Sequence, residues 1–264
     1  MPELPEVETI VRQLRKRVMG KTIRAIKVYD HKVVGRNLAR IHPQKIINIS
    51  RYGKYILLNL EQDQLLAHLR MTGYFQYVSA NYPIDRNYLA AQIHFTDDSQ
   101  LTFHEIRRFG ELRRITNDQL NILLEKLGPD PVAASFTFPV FSSVLAAKKN
   151  ATIKATLLDQ RVIAGIGNIY AQEALYRAKI DPQRKVAELS TNELRALHRQ
   201  LRSTLQLAIR HQGTTVQNYL NINGAGKFQK FLTVYEKDQC PEKHLVEKIV
   251  IGGRGTYWCK RCQR

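Results

Sequence analysis

Two groups of residues in this 264-residue chain could do chemistry, and they lie near its two ends. The opening Met1-Pro2-Glu3-Leu4-Pro5-Glu6 puts a small residue after the first methionine, a context in which that methionine is normally trimmed. Trimming would leave Pro2 as a secondary amine. An α-amino group has a reference pKa of about 7.7–8.0, so a useful fraction is neutral and nucleophilic near pH 7. Such an amine attacking the anomeric carbon of a sugar can expel a base and form an iminium, while a nearby carboxylate manages the protons. Glu3 is the candidate to protonate the ring oxygen or stabilise the cation, and Glu6, at the helix start, is the second. The plainer reading of the same residues is that Pro5 and Glu6 start a helix and complement its dipole. Near the other end, Cys240, Cys259 and Cys262 are the only cysteines. An odd number so clustered argues for metal ligation rather than a disulfide framework.

These groups must be held by something. The segment "PEVETIVRQLRKRV" sets Val7, Ile10, Val11, Leu14 and Val18 on one face, which predicts an amphipathic helix at the start of the chain. The runs "TIRAIKVY", "KIINIS", "KYILLNL", "QLLAHLRM", "GYFQYV", "AQIHFTD" and "QLTFHEI" read as strands, with turns at Tyr52-Gly53 and Asp97-Asp98-Ser99. Short strands at this spacing predict a sandwich or barrel. The helical stretch "NDQLNILLEKL" stops at Gly128, and "GPDPVAASFTFPVF" reads as a connection. Helical patterns follow in "FSSVLAAKKN", "TIKATLLDQ", "IYAQEALYRA" and "TNELRALHRQLRSTLQLAIRHQ". From about Phe231 two β-like pieces, "FLTVYEK" and "EKIVIGG", are bracketed by the cysteines. The expectation is an α+β multidomain chain. It has an N-terminal helix plus β-sandwich domain over 1–130, a linker over 131–148, a helical domain over 149–230 and a metal-bound β-hairpin over 231–264.

Charge narrows the partner. The chain carries 41 Lys plus Arg against 23 Asp plus Glu, a formal net charge of +18. Such an excess repels itself in a compact fold and favours a polyanion, with nucleic acid leading because phosphate neutralisation dominates that kind of affinity. No apolar run approaches the length of a membrane span, and Glu3, Glu6 and Glu8 interrupt any signal-peptide pattern. A cytoplasmic, monomeric protein acting at the nucleoid, with no membrane partner, is the expectation.

The opening "MPELPEVET" resembles the start of formamidopyrimidine-DNA glycosylases, and "RYGKY", "HLRMTG", "RRFGEL", "LLDQRVIAGIGNIYAQEALY" and "GGRGTYWCKRCQ" follow in that family's order. Coverage is nearly the whole chain. The resemblance implies a bifunctional repair enzyme that flips out and excises 8-oxoguanine and formamidopyrimidines from duplex DNA, then cleaves the abasic strand by β,δ-elimination. It implies a helix–two-turns–helix element around Gly165 and Gly167 and a zinc-finger hairpin. By the same resemblance Lys54, His68, Asn168 and Arg254 bind phosphates flanking the lesion, and Lys154 corresponds to a lysine near the lesion phosphate. Met71, Arg107 and Phe109 match the trio that fills the void left by the extruded base, with Arg107 also reading the base opposite. Thr214, Thr215 and Tyr219 fall in the loop that closes over the purine.

The metal site departs from the family's pattern. The family has two Cys-x-x-Cys pairs, and only Cys259-Lys-Arg-Cys262 is intact; the first is Cys240-Pro-Glu-Lys-His244. Tetrahedral zinc accepts imidazole in place of thiolate, so Cys240, His244, Cys259 and Cys262 are the expected ligands of one structural Zn2+. Two rival readings stay open at this point. One is an endonuclease VIII-like enzyme for oxidised pyrimidines, against which "PELPEVE" and the Met71/Arg107/Phe109 trio weigh. The other is a non-catalytic, damage-binding zinc protein.

Overall fold

The computed structural model describes residues 1–80, 82–215, 222 and 224–264. The chain forms two compact units, one of residues 1–124 with 212–227, the other of 125–211 with 228–264.

The first unit opens with α1 (Leu4–Val18), whose Leu4, Val7, Ile10, Val11, Leu14 and Val18 are buried at the helical spacing read from the sequence. Each such side chain contributes about 1.5–3 kcal/mol by leaving water. Eight strands follow: β1 (Thr22–Val28), β2 (Gln44–Tyr52), β3 (Tyr55–Leu60), β4 (Gln64–His68), β5 (Gly73–Val78), β6 (Leu89–Phe95), β7 (Gln100–Glu105) and β8 (Glu111–Arg114). They form one antiparallel succession in the order β5-β7-β6-β1-β2-β3-β4-β8. Phe75 and Phe103 from one end of that order share a core with Ile56, Leu58 and Leu65 from the other, together with the apolar face of α1. The succession is therefore doubled over as a β-sandwich. The opposite faces of β3 and β4 offer Leu57 and Leu66 to Leu120 of α2 (Asn117–Glu125). This explains why both strands read as unbroken apolar runs rather than as alternation.

The second unit is helical: α3 (Phe138–Ala146), α4 (Ile153–Leu158), α5 (Asn168–Arg177) and α6 (Thr191–Arg210). Ser190 caps α6, its hydroxyl accepting from Glu193 N, and Thr152 caps α4 by accepting from Ala155 N. A two-stranded hairpin of β9 (Glu247–Ile251) and β10 (Arg254–Trp258) turns at Gly252 and Gly253, both at positive φ. The segment "FLTVYEK", expected as a strand, is not one. Its first residue closes a 3-10 turn and the rest is irregular, because the amides of Thr233, Val234 and Tyr235 donate to the Glu173 carboxylate instead of to a neighbouring strand. Among the described residues no helix is long and apolar enough to cross a membrane.

Candidate active site and nucleic-acid interface

In the first unit, the residues at the start of α1 are held by Glu6. Its Oε2 accepts from Glu3 N at 2.8 Å, and its Oε1 accepts from Thr214 N at 2.7 Å. A Cβ on Gly213 would stand 2.6 Å from Glu6 Oε1, so only glycine lets the returning segment come this close. Glu3 and Glu6 are both buried. With its two oxygens engaged by backbone amides, Glu6 acts as a latch that fixes Glu3 and the segment at 213–215. The nitrogen of Pro2 is a secondary amine once Met1 is removed; while Met1 remains it is an amide with no nucleophilicity.

Lys54 and His68 are brought together by strand pairing. Gly53, at φ 56°, and Lys54 make the two-residue turn between β2 and β3, and Tyr55 pairs with His68 across β3 and β4. The turn is braced by Arg51, which donates to Gly53 O at 3.1 Å and pairs with Glu8 of α1 at 3.0 Å. The His68 ring lies edge-on to Tyr55, with centroids 4.6 Å apart. Burial and the neighbouring Arg70 and Lys54 charges lower its pKa from 6.5 to about 3. Nδ1 accepts from Arg70 N at 3.0 Å, which leaves the proton of this neutral ring on Nε2. His68 can thus donate one hydrogen bond without carrying charge.

Met71 and Phe109 are exposed, and Arg107 lies against both. Its guanidinium donates to Met71 Sδ at 3.2 Å and sits 5.1 Å over the Phe109 ring. Three residues on two separate loops, 36 and 2 positions apart, therefore form one projecting cluster in which an apolar chain, a planar cation and an aromatic ring touch. Thr214 is buried and Thr215 accepts from Gly226 N at 2.7 Å, while Tyr219 lies outside the described residues.

In the second unit, Gly165 takes φ 89° and Gly167 is the N-cap of α5, so two turns bring α4 round to α5. Gln160 organises the first turn by donating to Leu158 O and Ile166 O and accepting from Gly165 N. The Asn168 amide nitrogen donates to Gly255 O at 3.0 Å, and its buried Oδ1 has no hydrogen-bond partner among the described residues. Gly255 follows the exposed Arg254, so the start of α5 and the hairpin tip are tied together. The start of a helix is where backbone amides can meet an anion, and here it lies beside the exposed Arg254. Lys154 is fully buried and donates from Nζ to Thr256 Oγ1 of β10. Gln172 also reaches this hairpin, with Nε2 donating to Gly255 O and Oε1 accepting from Tyr257 N.

The ligand atoms of Cys240, His244, Cys259 and Cys262 all lie within 4.8 Å of one another. Cys240 Sγ and Cys262 Sγ are 3.8 Å apart, matching the edge of a tetrahedron with zinc–sulfur bonds of about 2.3 Å. His244 presents Nδ1 at 3.3 Å from Cys262 Sγ, and Cys240 N donates to His244 O at 2.9 Å to close the three-residue spacer. The donor set fits a structural zinc with no open position. Sequence reasoning missed Gln160, Gln172 and Glu173, which hold this arrangement from within. A signal existed, since Gln172-Glu173 interrupts the otherwise apolar face of "IYAQEALY".

A basic chain with a projecting apolar–cationic cluster in one unit, and a glycine-turned helix pair beside a zinc hairpin in the other, is built as a DNA glycosylase of base-excision repair. The chain belongs to the formamidopyrimidine-DNA glycosylase family. Residues 1–112 match the formamidopyrimidine-DNA glycosylase N-terminal domain, 127–219 its H2TH domain, and 243–264 a zinc finger found in FPG and IleRS. The formamidopyrimidine-DNA glycosylases of Streptococcus pneumoniae and Geobacillus kaustophilus are 39% and 38% identical over all of this chain and 99% and 100% of their own. A Lactococcus lactis Fpg variant complexed with Fapy-dG containing DNA has a TM-score of 0.91 at 34% identity, each chain fully covered. The L. lactis protein with an abasic site containing DNA gives 0.91 at 34% over 99% of both chains.

Proposed function

We propose that the substrate is duplex DNA bearing 8-oxoguanine or a formamidopyrimidine, and that the enzyme also cuts the abasic strand it creates. Neutral Pro2 nitrogen attacks C1′, the bond from C1′ to the base nitrogen breaks, and the base leaves with a proton. Glu3 protonates the sugar ring oxygen, so the ring opens to an iminium between Pro2 and C1′. Loss of a proton from C2′ expels the 3′ phosphate, and a second elimination expels the 5′ phosphate. Each step moves a proton over a short distance, which is the work a carboxylate next to the amine can do.

The observation that carries this reading is the exposed Met71–Arg107–Phe109 cluster. Attack on C1′ in a stacked duplex requires extrusion of the nucleotide, and the vacated space needs apolar and planar groups to fill it. Arg107 donates to the base opposite. Lys54, His68, Asn168 and Arg254 hold phosphates near the lesion, and Lys154 serves the same contact from behind through Thr256, two residues after Arg254. Thr214, Thr215 and Tyr219 belong to the segment that covers the extruded purine. The Fapy-dG in the DNA of one L. lactis complex supports the purine reading, and the abasic site in the DNA of another supports action on the abasic strand.

Borohydride reduction with an abasic-site duplex tests the mechanism: a covalent adduct through Pro2 is expected, and a protein that gives none is not this enzyme. Intact mass gives a second check, since a chain retaining Met1 has no free Pro2 amine and should not trap. Excision from duplexes carrying 8-oxoguanine or thymine glycol tests the substrate. Strong preference for thymine glycol would move the chain to the pyrimidine-directed reading.

A further inference from the structure

Met71 lies in the connection between β4 and β5, and Arg107 and Phe109 lie in that between β7 and β8. In each loop the residue just before the projecting tip is in the left-handed region: Arg70 at φ 49° before Met71, and Arg108 at φ 58° before Phe109. Non-glycine residues hold such angles only where their surroundings over-determine them. The surroundings here converge on one side chain. Glu105, the last residue of β7, is 3% exposed and pairs with Gly73 at the start of β5. Its Oε1 accepts from the hydroxyl of Thr72, the residue after Met71, and from Arg107 N at 3.2 Å. Its Oε2 accepts from Gly110 N, the residue after Phe109, at 2.8 Å. Arg107 N is shared with Thr72 Oγ1 at 3.0 Å, which closes the ring of contacts between the loops. Glycine is required at both edges, since a Cβ on Gly110 or Gly73 would come within 2.3 or 3.0 Å of Glu105 Oε2. On the solvent side, Arg108 is clamped by both oxygens of Asp30 at 2.6 and 2.7 Å.

We propose that Glu105 is the positioning residue that fixes the two loops in one geometry, so that Met71, Arg107 and Phe109 enter the duplex as a single preassembled wedge. The inference rests on the reading of that trio as the void-filling group. Glu105 touches no DNA in this account. It acts by sparing the loops an ordering step at the moment of base extrusion, when any search among loop conformations adds to the barrier. A carboxylate suits the position because both oxygens must accept. In Glu105→Gln one end becomes an N–H group facing either Gly110 N–H or the donors of Thr72 and Arg107.

The test compares two substrates: an 8-oxoguanine·cytosine duplex, where the wedge must displace a stacked nucleotide, and a single-stranded abasic oligonucleotide, where it has nothing to displace. In single-turnover assays, Glu105→Gln should slow duplex excision by about ten- to a hundredfold, the effect of losing one charge-assisted hydrogen bond. Borohydride trapping on the single strand should change less than about threefold. Thr72→Val, which deletes one hydroxyl without changing shape, should slow the duplex reaction in the same sense by a smaller factor. It carries the test should Glu105→Gln fail to fold. Met71→Ala/Phe109→Ala should also slow the duplex reaction, and adding Glu105→Gln to it should cost far less than Glu105→Gln does alone, because the loops would then have no wedge to aim. Unchanged duplex excision in Glu105→Gln, equal losses on both substrates, or additive losses in the triple variant would each overturn the proposal. If Met71→Ala/Phe109→Ala excised normally, the wedge reading itself would fall, which is a different result.

Discussion

Glu173 offers the sharpest test of how the second unit is assembled. It is fully buried on α5, and its two oxygens accept from Thr233 N at 2.8 and 3.0 Å, Val234 N at 3.0 Å, Tyr235 N at 3.0 Å and Thr233 Oγ1 at 2.6 Å. Glu173→Ala would leave three backbone N–H groups and a hydroxyl without their acceptor. Each buried orphan donor costs about 1–3 kcal/mol, but the costs are not additive once water enters, and breaking a buried charged cluster typically totals about 3–5 kcal/mol. For a unit of this size that corresponds to a fall in Tm of roughly 10 °C or more. Glu173→Gln behaves differently. Its amide oxygen, placed at Oε1, keeps all three N–H contacts, and its NH2 group can donate to Thr233 Oγ1, so a loss of about 1–2 kcal/mol is expected. Calorimetry gives the ordering, and hydrogen exchange gives the location. The amides of Thr233, Val234 and Tyr235 should exchange at least about thirtyfold faster in Glu173→Ala, equivalent to about 2 kcal/mol of lost protection. If Glu173→Ala shifts Tm by less than 2 °C, or if those three amides keep wild-type protection, the carboxylate is not what holds this segment. (The threshold of roughly 2 °C is about the shift expected from well under 1 kcal/mol.)

Other consequences are equally direct. His244→Ala should lower zinc content and Tm, and His244→Cys should retain metal; unchanged zinc and stability in His244→Ala would remove the imidazole from the site. His68 makes a pH prediction: its folded pKa, about 3, lies below its ordinary 6.5, so the unfolded chain takes up the proton first and stability is lost as pH falls from 6.5 towards 3. Between pH 7.5 and 5.5 that amounts to about 1.4 kcal/mol, and denaturant titrations should show the wild type losing that much more than His68→Gln. An imidazole resonance of His68 titrating near pH 6.5 would contradict it. Ser190→Ala removes the hydroxyl that accepts from Glu193 N and should destabilise the second unit by about 1 kcal/mol, visible as a lowered midpoint in urea.

What the sequence made legible was what depends on near neighbours. The face of α1 follows from its spacing of apolar residues, and the Gly53-Lys54 turn from a glycine between two β-type runs. The metal cluster could be read because ligand type and spacing are themselves the constraint. Exposure of Met71 and Phe109 agreed with their setting beside Gly and Arg in turns. What stayed hidden depends on partners far apart in the chain. "FLTVYEK" has a strand's composition, yet Glu173, some 60 positions earlier, captures its amides. Strand β8 (Glu111–Arg114) was invisible because "ELRR" is polar and becomes a strand only by pairing with β4. Glu105 and Glu6 look like ordinary acidic residues until the fold shows which donors surround them.

The bond between Thr214 N and Glu6 Oε1 also sets an order of events in time. On the ribosome, domains generally fold as units from the N-terminal end during synthesis. Here the first unit includes residues 212–227, so it cannot be completed when Leu124 emerges. The whole stretch 125–211 must be synthesised before the residue that engages Glu6 exists. The start of α1 is therefore latched from this side only after about ninety further residues have been made, so a helix that is early in sequence is late in being secured.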